Sequence, residues 1–145
     1  MLMGGANAMQ TAKTEWISGQ KFMVTSPSGH ALVLDAESAS NTAPTPMELL
    51  LMALGACTAT DIVIILEKKR QKLEKLEVIC HGERAEEYPR VWKKLEIVFR
   101  LWGNLEEAAV LHAIQLSEEK YCSVSATLKK SATLTWKHEI LPSGA

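Results

Sequence analysis

No C-x-x-C pair occurs in this chain, and its three cysteines, Cys57, Cys80 and Cys122, are too few and odd in number for a small disulfide scaffold. That excludes zinc-ribbon and thioredoxin-type motifs. The cysteine usage reads as that of a reducing, cytoplasmic setting, where thiols are buried fillers or do chemistry. Charge of one sign is lacking too: sixteen basic against seventeen acidic residues leave −1. Without a basic stripe there is no electrostatic ground for a nucleic-acid partner or an anionic membrane surface. His30, His81, His112 and His138 are scattered with no ligand-pair spacing, so neither a metal nor another resident cofactor is expected. The four tryptophans are spread along the chain and read as strand or interface packing.

Targeting signals are also missing. Met1 to Met9 is small and polar, with no basic n-region and no apolar h-region. Residues 1–8 are read as an extension ahead of a natural start at Met9, and 9–145 as one domain, at about 100–200 residues per domain. The longest apolar stretch, Leu49 to Leu66, contains Gly55, Thr58, Thr60 and Asp61. It is short against the roughly 20 apolar residues of a membrane span and reads as a buried core helix.

What is present is a mixed pattern. Thr14–Ile17, Lys21–Thr25 and His30–Leu34 read as strands joined by turns at Ser18-Gly19 and Ser26-Pro27-Ser28-Gly29, an antiparallel meander. Thr45 is a candidate helix N-cap, Pro46 suits the first helical position, and Glu48 stands at capping-box spacing. The spacing predicts a helix from Pro46 to about Lys72, with its basic end at Lys68-Lys69-Arg70. Strands follow around Leu76–Cys80 and Leu95–Leu101, flanking a polar hairpin from Gly82 to Pro89. A helix from Leu105 to Tyr121, capped at Asn104, a shorter helix to about Lys130 and a last strand at Thr133–Trp136 complete the order. The fold class is α+β with mostly antiparallel pairing.

Two cysteines carry candidate chemistry. Cys57 sits inside the most apolar helix, where a free cysteine is commonly a small buried hydrophobe. Cys122 lies at a helix junction beside Ser123 and Ser125, and a helix N-terminus favours thiolate. Asp61, one turn after Cys57, reads as a local cap or as the partner of a cation such as Arg90.

The stretch Pro46-Met47-Glu48-Leu49-Leu50-Leu51-Met52-Ala53-Leu54-Gly55-Ala56-Cys57-Thr58 resembles the signature of the OsmC/Ohr family, the osmotically inducible and organic hydroperoxide resistance proteins. Glu119-Lys120-Tyr121-Cys122-Ser123-Val124-Ser125, with Cys122 lying 65 residues after Cys57, resembles its second cysteine motif. The resemblance runs from about Met9 to Leu141 and is nearest to a divergent branch of small bacterial proteins.

It implies an OsmC-like fold, with antiparallel sheets around long central buried helices in an intertwined homodimer. It implies a thiol-dependent organic hydroperoxide reductase. Cys57 would be the peroxidatic thiolate and Cys122 the resolving thiol, with an external thiol reductant such as a dihydrolipoyl group. The family's enzymes carry a glutamate one position earlier, where Met47 stands, so Glu48 is the candidate carboxylate. They supply an arginine from the N-terminal strands. No arginine precedes Arg70 here, and Arg90 of the polar hairpin is the candidate cation, with Arg84, Lys13 and Lys21 behind it. The alternative is a non-catalytic dimer of this fold that binds a small apolar ligand or senses redox state.

Overall fold

A computed structural model of the chain describes residues 8–145. The expected extension, residues 1–8, lies outside the described residues except for Ala8. The chain divides into two compact units, one ending at Leu49 and one running from Leu50 to Ala145.

The first unit is the expected meander: β1 (Lys13–Ser18), β2 (Lys21–Thr25) and β3 (Ala31–Asp35) in the order β1-β2-β3, antiparallel throughout. Gly19 makes the first turn at φ 54°, a left-handed conformation that costs glycine nothing. After β3 the buried Asp35 organises the loop. Its carboxylate accepts from the hydroxyls of Ser40 and Thr42 and from the backbone N–H of Glu37, which together lower its pKa to about 2. The loop ends in a reciprocal capping box. The Thr45 N–H donates to Glu48 Oε1 at 2.8 Å, and the Glu48 N–H donates to Thr45 Oγ1 at 3.2 Å.

From that box runs α1 (Pro46–Lys68), most of which belongs to the second unit. It ends four residues earlier than expected, because Arg70 turns left-handed at φ 56°. The Gln71 N–H then reaches the Leu66 carbonyl and the Arg70 N–H that of Glu67, a Schellman closure with arginine in the usual glycine place. Gly55 does not break the helix. It lets β4 approach: a Cβ there would lie 3.4 Å from Cys80 Sγ.

The second sheet has the order β4-β5-β6, built from β4 (Lys72–Arg84), β5 (Trp92–Asn104) and β6 (Thr133–Leu141). The predicted alternation on β5 holds: Leu95, Ile97, Phe99 and Leu101 are buried, with Glu96, Val98 and Arg100 half-buried between them. Between β5 and β6 come α2 (Glu107–Leu116), a π turn (Ser117–Tyr121) and α3 (Ser123–Leu128). This connection returns the chain to the start of β5, so β6 pairs with it in parallel, from Lys94↔Thr133 to Trp102↔Leu141. The three other pairings are antiparallel, so the pairing is mostly antiparallel as expected, with β5–β6 the parallel exception among the described residues. The expected cap at Asn104 is corrected. Asn104 ends β5, and α2 starts after Glu106, whose N–H donates to the Gln71 side chain at 2.9 Å.

Burial on α1 falls on one stripe, Leu54, Thr58, Ile62 and Leu66, one residue per turn. Each fully buried aliphatic side chain there contributes about 1.5–3 kcal/mol. The rest of the helix is not buried within the chain: Met52 is 55% exposed, and Val63 and Ile64 are 45% each. The expectation of a helix buried on most sides is thus met on one stripe only. By length and composition α1 could cross a membrane, with a mean hydropathy of 2.3 over its most apolar window.

Candidate active site

Cys57 is presented by α1 beside the buried Thr58, and Cys122 by the junction between the π turn and α3. The π turn decides where Cys122 points. The buried stripe of α2, Val110, Ala113 and Ile114, continues at Ser117 and Glu118, and regular α spacing would next bury Tyr121. The turn inserts one residue, closed by the Cys122 N–H on the Ser117 carbonyl at 2.8 Å. Tyr121 is therefore 50% exposed, and Cys122 takes the inner position at 3%.

The two thiols meet. Cys57 lies close enough to Cys122 to act on its thiol, raising its pKa, and the Ser125 N–H donates to Cys122 Sγ at 3.3 Å. Burial pushes the Cys122 thiol up to about 12, opposed by the Ser125 N–H and reinforced by Cys57 and by the Glu118 carboxylate. The expected lowering by a helix N-terminus is overridden: one N–H of a six-residue helix does not offset desolvation. Burial thus favours the Cys122 thiol over its thiolate.

Glu118 escaped the sequence reading. It is 7% exposed, and its Oε1 accepts from Ser125 Oγ at 2.8 Å. Burial raises its pKa, Ser125 and Lys129 act against that, and Asp61 adds to it. The signal was available: positions 117 and 118 extend the stripe of 110, 113 and 114, and polar residues there are buried polar residues. Asp61 is neither a local cap nor a partner of Arg90. It accepts from Ser117 Oγ at 2.8 Å, tying α1 to the π turn. Cys80, over Gly55, is pushed up to about 11 by burial and then by Glu118.

The other two candidates have structural partners. The Glu48 carboxylate closes the capping box. Arg90 is exposed at the turn of the β4–β5 hairpin, where its Nε donates to the Ala85 carbonyl at 3.2 Å, and its own carbonyl accepts from Arg84. On α1, one residue before Cys57 in the chain, Ala56 joins Leu51, Met52, Gly55, Val78 and Cys80 in lining a cavity of about 360 Å³. Its walls are aliphatic apart from the Cys80 thiol.

Residues 39–137 match the family of OsmC-like proteins. The chain is 42% identical over 131 residues to Protein YhfA of Escherichia coli, covering 90% of this chain and 97% of that one. A crystal structure of an OsmC-like protein from Mycoplasma pneumoniae superposes with a TM-score of 0.81 at 14% identity, over 93% and 99% of the two chains. The organic hydroperoxide resistance protein OhrB of Bacillus subtilis does so at 0.60 and 17%, over 89% and 98%. At these identities the two structures speak for the fold.

Proposed function

The chain belongs to the OsmC-like family, and on that premise we propose that it reduces organic hydroperoxides through Cys57 and Cys122. The observation that carries this reading is the proximity of two thiols 65 residues apart, close enough for Cys57 to act on the Cys122 thiol. Cys57, as thiolate, attacks the distal oxygen of the hydroperoxide. The O–O bond breaks, an alcohol leaves and Cys57 becomes a sulfenic acid. Cys122 then displaces the sulfenic hydroxyl as water and closes a disulfide, which an external dithiol reopens by exchange. The cavity of about 360 Å³ suits the alkyl part of the substrate.

The reading includes a homodimer, in which a second copy covers the apolar face of α1. The test is peroxide consumption by the reduced protein, with cumene hydroperoxide against hydrogen peroxide and with dihydrolipoamide or dithiothreitol as reductant. Cumene hydroperoxide should be preferred, and Cys57→Ser should abolish turnover. Peptide mapping after one equivalent should find Cys57 joined to Cys122 with Cys80 free. Wild-type protein that reacts no faster than free cysteine would sink the proposal in favour of a ligand-binding dimer.

A further inference from the structure

Glu118 is an acid where the fold has no use for one. It stands on the buried stripe of the crossover, 7% exposed, and its Oε2 has no hydrogen-bond partner among the described residues. Its other oxygen is fixed by Ser125 Oγ, and Ser125 also gives its backbone N–H to Cys122 Sγ. One serine therefore holds both the carboxylate and the resolving thiol. The groups around Glu118 are few. Asp61 faces it from α1, itself bonded to Ser117. Lys129, just past α3, places Nζ on the Glu118 backbone carbonyl at 2.6 Å, not on the carboxylate. Cys80 on β4, Cys57 on α1 and Cys122 complete the set, the first and last of these thiols feeling the Glu118 charge. A buried carboxylate costs stability unless a charge or a donor answers it. Here Oε2 has no donor among the described residues, while the Cys80 and Cys122 thiols lie near enough to feel the carboxylate's charge.

We propose that Glu118 accepts the proton that Cys122 gives up as it closes the disulfide with Cys57, an inference that rests on the peroxidase reading above. In that step the Cys122–Cys57 S–S bond forms and the S–O bond of the sulfenic acid breaks. The Cys122 sulfur is oxidised and the Cys57 sulfur is reduced from sulfenic acid to disulfide. The proton passes from Cys122 to the carboxylate and on to the departing hydroxide, which leaves as water. The oxidant is the hydroperoxide consumed one step earlier. A buried thiol that holds its proton until about pH 12 is a poor nucleophile at neutral pH and needs a local base. A carboxylate whose basicity is raised by burial is better matched to that task than an exposed one.

The test is Glu118→Gln, which keeps the size and the acceptor for Ser125, in a Cys80→Ser background. Closure is measured in two ways. One follows disulfide formation after a single equivalent of cumene hydroperoxide. The other needs no peroxide chemistry: Cys57 is tagged with one equivalent of dithiobis(nitrobenzoate), and release of the second nitrothiolate reports attack by Cys122. Closure in the variant should be at least about tenfold slower at neutral pH in both measurements, the equivalent of about 1.4 kcal/mol. Attack on peroxide should slow by clearly less. The wild-type closure rate should level off once Glu118 is ionised, whereas the variant should keep rising with hydroxide. Ser125→Ala should move closure in the same direction. Equal closure rates and the same pH profile in wild type and Glu118→Gln would overturn the inference alone. A wild type that closes its nitrobenzoate adduct through Glu118 but ignores hydroperoxide would overturn the peroxidase reading and leave the proton transfer standing.

Discussion

Glu118 carries a thermodynamic signature as well as a kinetic one. Its folded-state pKa is raised, chiefly by burial, above the value it has in the unfolded chain. The stability it contributes is therefore complete below the unfolded glutamate value of about 4.3 and is lost as pH rises through the folded value. Glutamine at 118 has no charge to bury. Glu118→Gln should melt higher than wild type, by a margin that widens in thermal scans of the reduced protein as pH rises from the unfolded glutamate value through the raised folded one. A margin that is flat with pH would mean that the carboxylate is answered by a group outside this chain. The variant is thus expected to be more stable and slower at once, the trade-off usual for a functional residue. The two cysteines were legible in the sequence because they sit in two motifs at a recognisable distance. Glu118 was not, because hydrophobic periodicity is read from apolar letters and the buried stripe continues past Ile114 in a serine and a glutamate. The partner of Asp61 was hidden for a different reason: Ser117 lies 56 residues away, and nothing local marks it.

At the level of elements, what was legible was whatever a short window specifies. Thr45, Pro46 and Glu48 predict a capping box, and both of its hydrogen bonds form. Thr45→Ala and Glu48→Ala should each cost about 1 kcal/mol by denaturant unfolding, and the double variant little more than either, since the box is one reciprocal unit. If Glu48→Ala instead cut peroxide turnover without touching stability, the carboxylate would have a catalytic part beyond its cap. The end of α1 was misjudged because a Schellman closure is normally announced by glycine, and here Arg70 takes the left-handed turn. The direction of β6 was not legible because alternation along a strand is the same in parallel and antiparallel sheets. Only the length of the crossover separates them. The π turn has no sequence signature at all, although it is what turns Cys122 rather than Tyr121 inward.

For the whole molecule, the open question is what covers α1. Twenty-three residues of high hydropathy bury a single stripe and leave Leu50, Met52, Val63 and Ile64 at 41–55% exposure. Exposed apolar area of that kind is rarely left to water. A bilayer could take the helix by length alone, but Asp61 on it is bonded to Ser117, Cys57 meets Cys122, and Gly55 packs on Cys80. Those contacts hold α1 within the fold along its length, which favours a second protein surface over lipid. In the proposed homodimer, a second copy of this chain would supply that surface. Light scattering should then give twice the 16.0 kDa chain mass without detergent. Val63→Glu, which places a charge where that face would be buried, should shift the protein toward monomer, because a buried unpaired charge is costly. Activity ties this to the site, because the cavity proposed for the substrate is lined by Met52 of the same exposed face. Turnover per chain should therefore fall on dilution in step with the loss of dimer, and Val63→Glu should show that loss at higher concentration. A chain that scatters as monomer at micromolar concentration and keeps full specific activity on dilution would place the whole reaction within one copy.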